Sequence, residues 1–319
     1  MQRAVLTAVL TAAGLAALAW QVDQIGREEI ERGFRAIGWG FVPILLLSGA
    51  RLALRSRAWT ALSGDRIPFR SAFAATIAGD ALGNVTPLSL LASEPAKAMY
   101  VGRHFDPSRA LAALTAENFF YSVSVALYVM GSAVAMLMAF ALPPAWHTLG
   151  VLALGGMAAV LAGGAWLAWW QPTVASSITA RLPNARLREL ADRVRRFETD
   201  AYGAVSGQPH RLRTLLLCEG VFHVASLAEC WLTFYLLTGT TSLLPAFVFD
   251  GLNRVINVIF KVMPLRLAVD EGSAKLLAEA LNFSGADGFM LGIVRKVRVI
   301  AWMFVGLGIY VRRSMTGRS

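Results

Sequence analysis

The residues of this chain that could do chemistry are charged and amide side chains within otherwise apolar segments. Four of them recur at i, i+4, i+7 and i+11, a spacing that forms one stripe along a helix: Asp250, Arg254, Asn257 and Lys261. Asp80 and Asn84, at i and i+4, make a shorter version in the first half. A charge that faces lipid is costly, so the spacing predicts that both stripes face a polar cavity.

A short motif, P-L-x-L-x-x-[S/D]-E, occurs twice. One copy runs from Pro87 to Glu94 and the other from Pro264 to Glu271, and each is followed by an Ala-Lys pair that ends at Lys97 or Lys275. The surrounding segments, 71–102 and 244–284, are apolar but interrupted by Gly, Pro, Asn and charges. Irregular backbone at membrane depth is tolerated where protein buries it or where it lines a wet cavity. We therefore predict two re-entrant hairpins.

The hairpin charges have a simpler interpretation, which is that they only pair with one another. The pairs would be Asp250 with Arg254, Glu271 with Lys275, and Glu94 with Lys97. Such pairs would fix the hairpins and bind nothing. The sequence leaves both interpretations open.

A second candidate lies at Glu219 and His223, which are spaced i, i+4, with Glu229 further along the same segment. A carboxylate beside an imidazole is able to relay protons within a membrane. The same two side chains also suit one satisfied hydrogen-bonded pair near a helix end. Neither interpretation is favoured by the spacing alone.

The elements that position these residues follow from composition. Of 319 residues, 56% are hydrophobic and 16% are charged, whereas soluble domains average about a quarter charged. A membrane crossing needs about 20 largely apolar residues. We predict six full crossings, at 4–20, 39–59, 110–141, 148–170, 214–238 and 286–311. The first begins after Arg3 and ends near an Ala-x-Ala site, as secretory signals do, but we expect an uncleaved first span.

Loop charges predict the orientation of the spans. Arginine is concentrated in 51–70, in 171–213 and in the tail after residue 311, whereas the turn 142–147 has no Arg or Lys. Basic loops stay in the cytoplasm, so both termini are expected there. The same rule accounts for the net charge of +10 without a nucleic-acid partner. Segment 185–205 has helical apolar spacing and is expected to lie on anionic headgroups.

The predicted fold class is an all-α integral membrane protein with six transmembrane helices and two re-entrant hairpins arranged as inverted repeats. Residues 1–319 form one membrane domain, with a first half at 1–170, a cytoplasmic linker at 171–213 and a second half at 214–319. The hairpins enter from opposite sides, as in transporters whose substrate site lies near the midplane. Scattered histidines and two lone cysteines, Cys218 and Cys230, predict no metal site and no disulfide. We expect no cofactor and no enzymatic activity.

These motifs resemble the lysylphosphatidylglycerol synthase transmembrane family, also called flippase-like integral membrane proteins. The similarity covers nearly the whole chain in the same order, at Trp59–Leu62, Ile67–Arg70, Gly83–Pro87, Glu94, Pro264–Glu271 and the last span with Arg295. Some family positions differ here. Leu91–Glu94 and Pro264–Ala268 stand where the family has glycine-rich turns, and Glu117-Asn118 stands for a Glu-Arg pair. The lost glycines argue for different hairpin packing and different cargo.

The resemblance implies a flippase-like transporter of a phospholipid or polyprenyl-linked lipid across the bacterial inner membrane, without the aminoacyltransferase domain of larger members. Five cations are expected to hold an anionic headgroup: Lys97, Arg254, Lys261, Arg266 and Lys275. Glu94 and Glu271 would neutralise excess charge or contact a cationic group. The alternative is a non-transporting scaffold that recruits a lipid-biosynthesis enzyme, for example of a hopanoid pathway. An intramembrane enzyme is least favoured, because no nucleophile or metal accompanies the glutamates.

Overall fold

The computed structural model describes residues 20–85, 89–102, 105–170, 199, 203, 209–259 and 268–316, and these residues form helices and their connections without strands. The helices in these ranges are α1 (Arg27–Ile37), α2 (Phe41–Leu62), α3 (Phe69–Val85), α4 (Ser89–Tyr100), α5 (Pro107–Ala139), α6 (Pro144–Trp170), α7 (Pro209–Thr238), α8 (Leu243–Ile259), α9 (Val269–Ala280) and α10 (Gly285–Thr316). The all-helical fold class is confirmed over this part of the chain.

Long apolar helices dominate the molecule. Within the described residues, four stretches are long and apolar enough to cross a membrane: Arg27–Leu62, Pro107–Ala139, Pro144–Trp166 and Pro209–Thr238. They contain the spans predicted at 39–59, 110–141, 148–170 and 214–238, apart from a few end residues. The predicted span 286–311 coincides with α10, which is helical throughout but carries Arg295, Lys296 and Arg298 at its centre. The predicted span 4–20 and the predicted helix 185–205 lie almost entirely outside the described residues.

Each predicted hairpin segment is a pair of helices of the same two lengths. In the first pair, α3 has 17 residues and α4 has 12. In the second pair, α8 has 17 residues and α9 has 12. The connections at 86–88 and 260–267 lie outside the described residues, and re-entry into a membrane stays a prediction.

The helices also pack in matched combinations. At the centre α2 lies along α7. Helix α3 packs on α10, and α8 packs on α5 in the same way; likewise α4 contacts α5, and α9 contacts α10. The sets α2–α5 and α7–α10 therefore occupy equivalent positions. The first helix of each hairpin packs on the last helix of the other set, and the second helix contacts the last helix of its own set. Helix α6 is an addition that packs on α5.

Two apolar clusters enclose the polar part of α7. Leu215 and Cys218 belong to a cluster built around Trp59, whose indole Nε1 donates a hydrogen bond to the carbonyl of Ala110 at 3.1 Å. Cys230 and Phe234 belong to a second cluster shared with α5, α8, α9 and α10. Burial of these apolar faces holds the helices together. The α7 residues between the two clusters carry the polar side chains.

Candidate functional site

Two partly buried arginines of α2 form ion pairs with other helices. Arg51 Nη1 donates to Glu229 Oε2 of α7 at 2.9 Å. Arg55 holds Glu117 of α5 through two hydrogen bonds, of 2.8 and 2.6 Å, and also donates to Asn118 Oδ1 at 2.8 Å. Sequence reasoning placed both arginines among the loop charges after the second span, and this was wrong. The i, i+4 spacing puts them on one inward face of α2, which extends to Leu62.

Two carboxylates each hold two arginines. Glu229 is bonded by Arg51 and by Arg298 of α10. Asp250 of α8 is bonded by Arg254 at 2.9 Å and by Arg295 of α10 at 3.0 Å. The predicted Asp250–Arg254 pair is therefore present, but it belongs to a larger network that joins α2, α5, α7, α8 and α10. With Arg55 and Glu117 included, this network has five arginines but three carboxylates.

A cluster of charged side chains around Lys97 lies between α3 and α4, the two helices of the first hairpin segment. Buried Lys97 contacts Asp80 at 2.8 Å and Glu94 at 2.9 Å, and Ser93 donates to Asp80 at 3.3 Å. The predicted Glu94–Lys97 pair is confirmed, and Asp80 joins it from α3. These contacts hold α4 against α3. Asp80 therefore has a structural role in addition to lining a polar surface with Asn84.

A cavity of about 210 Å³ lies beside both charge clusters. Its polar wall consists of Ser48, Arg51, Arg55, Asp80, Asn84 and Arg298, and its apolar wall includes Tyr121, Phe222 and Trp302. Two donors of this wall, Arg51 Nε and Trp302 Nε1, are buried and have no acceptor among the described residues. A buried donor without an acceptor costs free energy. The wall is therefore suited to a ligand that brings acceptor oxygens.

Aromatic rings fix the arginines in place. The guanidinium of Arg51 lies 4.7 Å from the ring centre of Phe222, and that of Arg55 lies 4.3 Å from that of Tyr121. Arg254 lies 4.5 Å above Tyr128. Cation–π contacts of this kind are strongest where water is excluded. They hold the planar guanidinium groups in one orientation before any ligand binds.

The predicted Glu219–His223 pair is bridged by a serine that sequence reasoning did not include. Ser124 of α5 donates to Glu219 Oε2 at 2.8 Å, and its Oγ lies 3.1 Å from His223 Nε2. The ring of His223 stacks on Tyr128 with 4.7 Å between centroids. Spacing along α7 put the two residues on one face. The bridging hydroxyl belongs to another helix, so spacing along α7 could not predict it.

The second hairpin contributes less to the cavity than expected. Glu271 of α9 is fully buried and lies 3.3 Å from Lys296 of α10, which also contacts Asp270 at 3.2 Å. The predicted partner, Lys275, is not the one that the structure gives. Neither Glu271 nor Lys275 lines the cavity as described. The side chain of Asn257, and Lys261 and Arg266 altogether, lie outside the described residues.

Several residues of the site were missed at the level of sequence. They are Arg51, Arg55, Glu117, Ser124, Arg295, Arg298 and Trp302. Arg295 and Arg298, at i and i+3 within an apolar helix, carry the same signal that identified Arg254. At the level of sequence this helix was treated as an ordinary membrane crossing, and its arginines were not considered as candidate site residues.

The chain matches one family model, described as the lysylphosphatidylglycerol synthase TM region, over residues 5–308. No curated protein and no solved structure gives a significant match.

Proposed function

The chain belongs to the lysylphosphatidylglycerol synthase transmembrane-region family, and from this membership and the arginine-lined cavity we propose that it carries lipids with an anionic headgroup between the leaflets of a membrane. The cargo is a phospholipid or a polyprenyl-linked lipid, and both share a phosphate. The proposal places the chain in the bacterial inner membrane with both termini in the cytoplasm.

The observation that carries the proposal is the set of donors facing the cavity. Arg51, Arg55 and Arg298 line it, and among the described residues Asp80 is the one carboxylate that faces them. Guanidinium groups match phosphate oxygens with paired, charge-assisted hydrogen bonds. The unpartnered Nε of Arg51 and Nε1 of Trp302 would gain their missing acceptors from such a headgroup. The acyl chains would stay in the surrounding lipid while the head passes through protein.

The matched helix arrangement supports a transport role. Equal lengths of the hairpin helices and equivalent contacts in α2–α5 and α7–α10 are what two repeats would give if the first helix of each hairpin packs on the other repeat. In transporters, repeats of opposite orientation build one central site and rock against each other around it. The ion pairs between first and last helices have reversed polarity, Arg55–Glu117 in one set and Glu229–Arg298 in the other. We infer that these two pairs hold equivalent helices in equivalent places.

Lipid translocation in proteoliposomes tests the proposal. Phosphatidylglycerol and phosphatidylcholine would carry the same fluorescent acyl chain in phosphatidylcholine vesicles, and dithionite would report the fraction in the outer leaflet. The test variant is Arg51→Gln. Arg298 continues to hold Glu229 in this variant, so no buried carboxylate is left alone. The matched control is Arg57→Gln on the same helix, because Arg57 contacts Asp65 at 2.5 Å and is 43% exposed.

We expect the wild type to move phosphatidylglycerol faster than protein-free vesicles do. Loss of a charge-assisted hydrogen bond, about 1.5–3 kcal/mol, should slow Arg51→Gln by roughly tenfold or more. Arg57→Gln should match the wild type. Folded wild-type protein that moves neither lipid would contradict the proposal and favour the scaffold hypothesis. Equal rates for Arg51→Gln and wild type would exclude this cavity as the headgroup site.

A further inference from the structure

The described charges of the arginine network and of the Lys97 cluster, taken together with Glu219, are equal in number for the two signs. The described cations of this region are Arg51, Arg55, Lys97, Arg254, Arg295 and Arg298, and the carboxylates are Asp80, Glu94, Glu117, Glu219, Glu229 and Asp250. With every group ionised, the sum of these charges is zero. An anionic headgroup would leave one uncompensated negative charge in a low-dielectric region, which is costly. Uptake of one proton by the protein would restore neutrality.

Glu219 differs from the other five carboxylates in its contacts. Each of those five lies against a Lys or Arg nitrogen, whereas the hydrogen bond of Glu219 comes from the hydroxyl of Ser124. Protonating any of the five would break an ion pair. Protonating Glu219 breaks none. It is therefore the carboxylate at which a proton costs least.

Ser124 satisfies the hydrogen bonds of Glu219 in both protonation states. When Glu219 is ionised, the Ser124 hydroxyl donates to Glu219 Oε2 at 2.8 Å, and Nε2–H of neutral His223 donates to Ser124 Oγ at 3.1 Å. When Glu219 is protonated, its O–H donates to Ser124 Oγ. The serine hydrogen then turns to the carbonyl oxygen of Tyr121, which lies 2.9 Å away. A hydroxyl has one donor and two acceptor positions, so Ser124 and Glu219 stay hydrogen-bonded to each other in both states.

We propose that Glu219 binds one proton together with each anionic headgroup, with Ser124 as the switching hydrogen-bond partner, so that lipid movement is driven by a proton gradient. This inference rests on the function proposed above and adds its energy source. The step moves one proton and one monoanion in the same direction, and no bond other than O–H forms or breaks. Its net charge movement is zero.

The proton has a path to Glu219 through His223. The buried Nδ1 of His223 has no partner among the described residues and can accept a proton. Nε2 then releases its hydrogen to Ser124 Oγ as the Ser124 hydroxyl proton passes to Glu219. The imidazole ends in its other neutral tautomer, with Nε2 now accepting the hydrogen bond of the Ser124 hydroxyl, so only Glu219 has changed charge. The stacked ring of Tyr128 joins His223 to Arg254, which ties this path to the arginine network.

Charged and titratable groups from every helix around this pair shape its response to pH. Around Glu219 and His223 these groups are Arg51 and Arg55 of α2, Glu117, Tyr121 and Tyr128 of α5, Cys218 of α7, and Asp250 and Arg254 of α8. Arg295 and Arg298 of α10 are linked to this set through Asp250 and through the Glu229–Arg51 pair. An anion in the cavity offsets the arginines of this set. That favours a proton on Glu219, and the reverse coupling follows from thermodynamic reciprocity.

The leaflet distribution of a trace lipid under a pH gradient tests the inference. Proteoliposomes of phosphatidylcholine would contain a trace of the fluorescent phosphatidylglycerol, with the membrane potential clamped to zero by valinomycin and equal potassium. For one proton per lipid, each pH unit should sustain about a tenfold excess of the lipid in the leaflet that faces the alkaline side. Fluorescent phosphatidylcholine should stay evenly distributed. A wild-type ratio that stays at one, while the lipid still exchanges between leaflets, would overturn proton coupling and leave the proposed function standing.

Variants place the coupling at Glu219. Glu219→Gln and Ser124→Ala should lose the gradient-driven excess and give a ratio near one. Ser122→Ala is the matched control, since Ser122 is exposed on the same helix and its hydroxyl donates to its own helix at Asn118. It should keep the tenfold excess. A tenfold excess in Glu219→Gln would exclude this carboxylate. Absence of any lipid exchange in the wild type would overturn the proposed function and this inference with it.

Discussion

Glu117 and Arg55 form the most fully bonded ion pair of the network, and breaking it should measurably destabilise the fold. The carboxylate is 1% exposed and accepts both hydrogen bonds of the arginine fork. At an effective dielectric constant of about 20, two charges about 4 Å apart attract by roughly 4 kcal/mol. Removal of one partner from a buried pair typically costs about 3–5 kcal/mol. Asn118 Oδ1 remains as one acceptor for Arg55, so we expect about 3–4 kcal/mol for Glu117→Gln.

Thermal unfolding in detergent measures this cost. A loss of that size should lower the midpoint by on the order of 10 °C. The matched control is Glu31→Gln, the same substitution in an exposed pair, since Glu31 and Arg35 are 64% and 80% exposed. An exposed pair of this kind contributes about 0–1 kcal/mol to stability, so the unfolding midpoint of Glu31→Gln should stay close to that of the wild type.

A double variant separates the buried charge from the missing contact. Arg55→Met with Glu117→Met removes both charges, and apolar replacement of a buried pair is often neutral. It should therefore recover most of the stability lost in Glu117→Gln, although headgroup binding would be lost with Arg55. The reasoning is refuted if Glu117→Gln unfolds at the same temperature as Glu31→Gln, or if the double variant is no more stable than Glu117→Gln.

Three further predictions concern packing and the cavity. Gly292→Ala should cost about 1–3 kcal/mol of stability, because the added Cβ would lie 2.8 Å from Glu271 Cα of α9. Gly155→Ala should be tolerated, since among the described residues no atom outside its own helix backbone lies within 4 Å of the added Cβ. The unfolding midpoints of the two variants in detergent compare these costs. Trp302→Phe removes the cavity donor Nε1 and keeps an aromatic side chain, so phosphatidylglycerol translocation should slow about tenfold while the unfolding midpoint stays within a few degrees. Trp59→Phe loses the bond to the Ala110 carbonyl and leaves that acceptor buried, for a cost of about 1–3 kcal/mol in the same unfolding assay.

The apolar framework was predictable because hydrophobicity is a local property of the chain. Four of the predicted spans, from 39–59 to 214–238, fall on helices that are long and apolar enough to cross a membrane. The two hairpin segments were recognised from a repeated motif, and each is a pair of helices of 17 and 12 residues. Both results depend on neighbouring residues alone, so a linear scan could find them.

Partners between helices were not predictable in this way. Arg254 with Asp250 and Lys97 with Glu94 lie within one turn of one helix, and spacing found both pairs. Arg55 and Glu117, by contrast, lie on different helices and are 62 residues apart in sequence. Nothing in the spacing of either helix selects the other.

The sequence by itself determined that the chain is helical, apolar and interrupted by two polar segments, because these properties follow from residue type and period. Only the tertiary structure decided which face of α2 is buried, that Glu229 and Asp250 each hold two arginines, and that Ser124 bridges Glu219 and His223. The physical reason is that an intramembrane charge must find its partner inside the bundle. Which partner it finds depends on how whole helix faces pack against each other. That packing is determined by many residues of several helices together, so no single sequence motif specifies it.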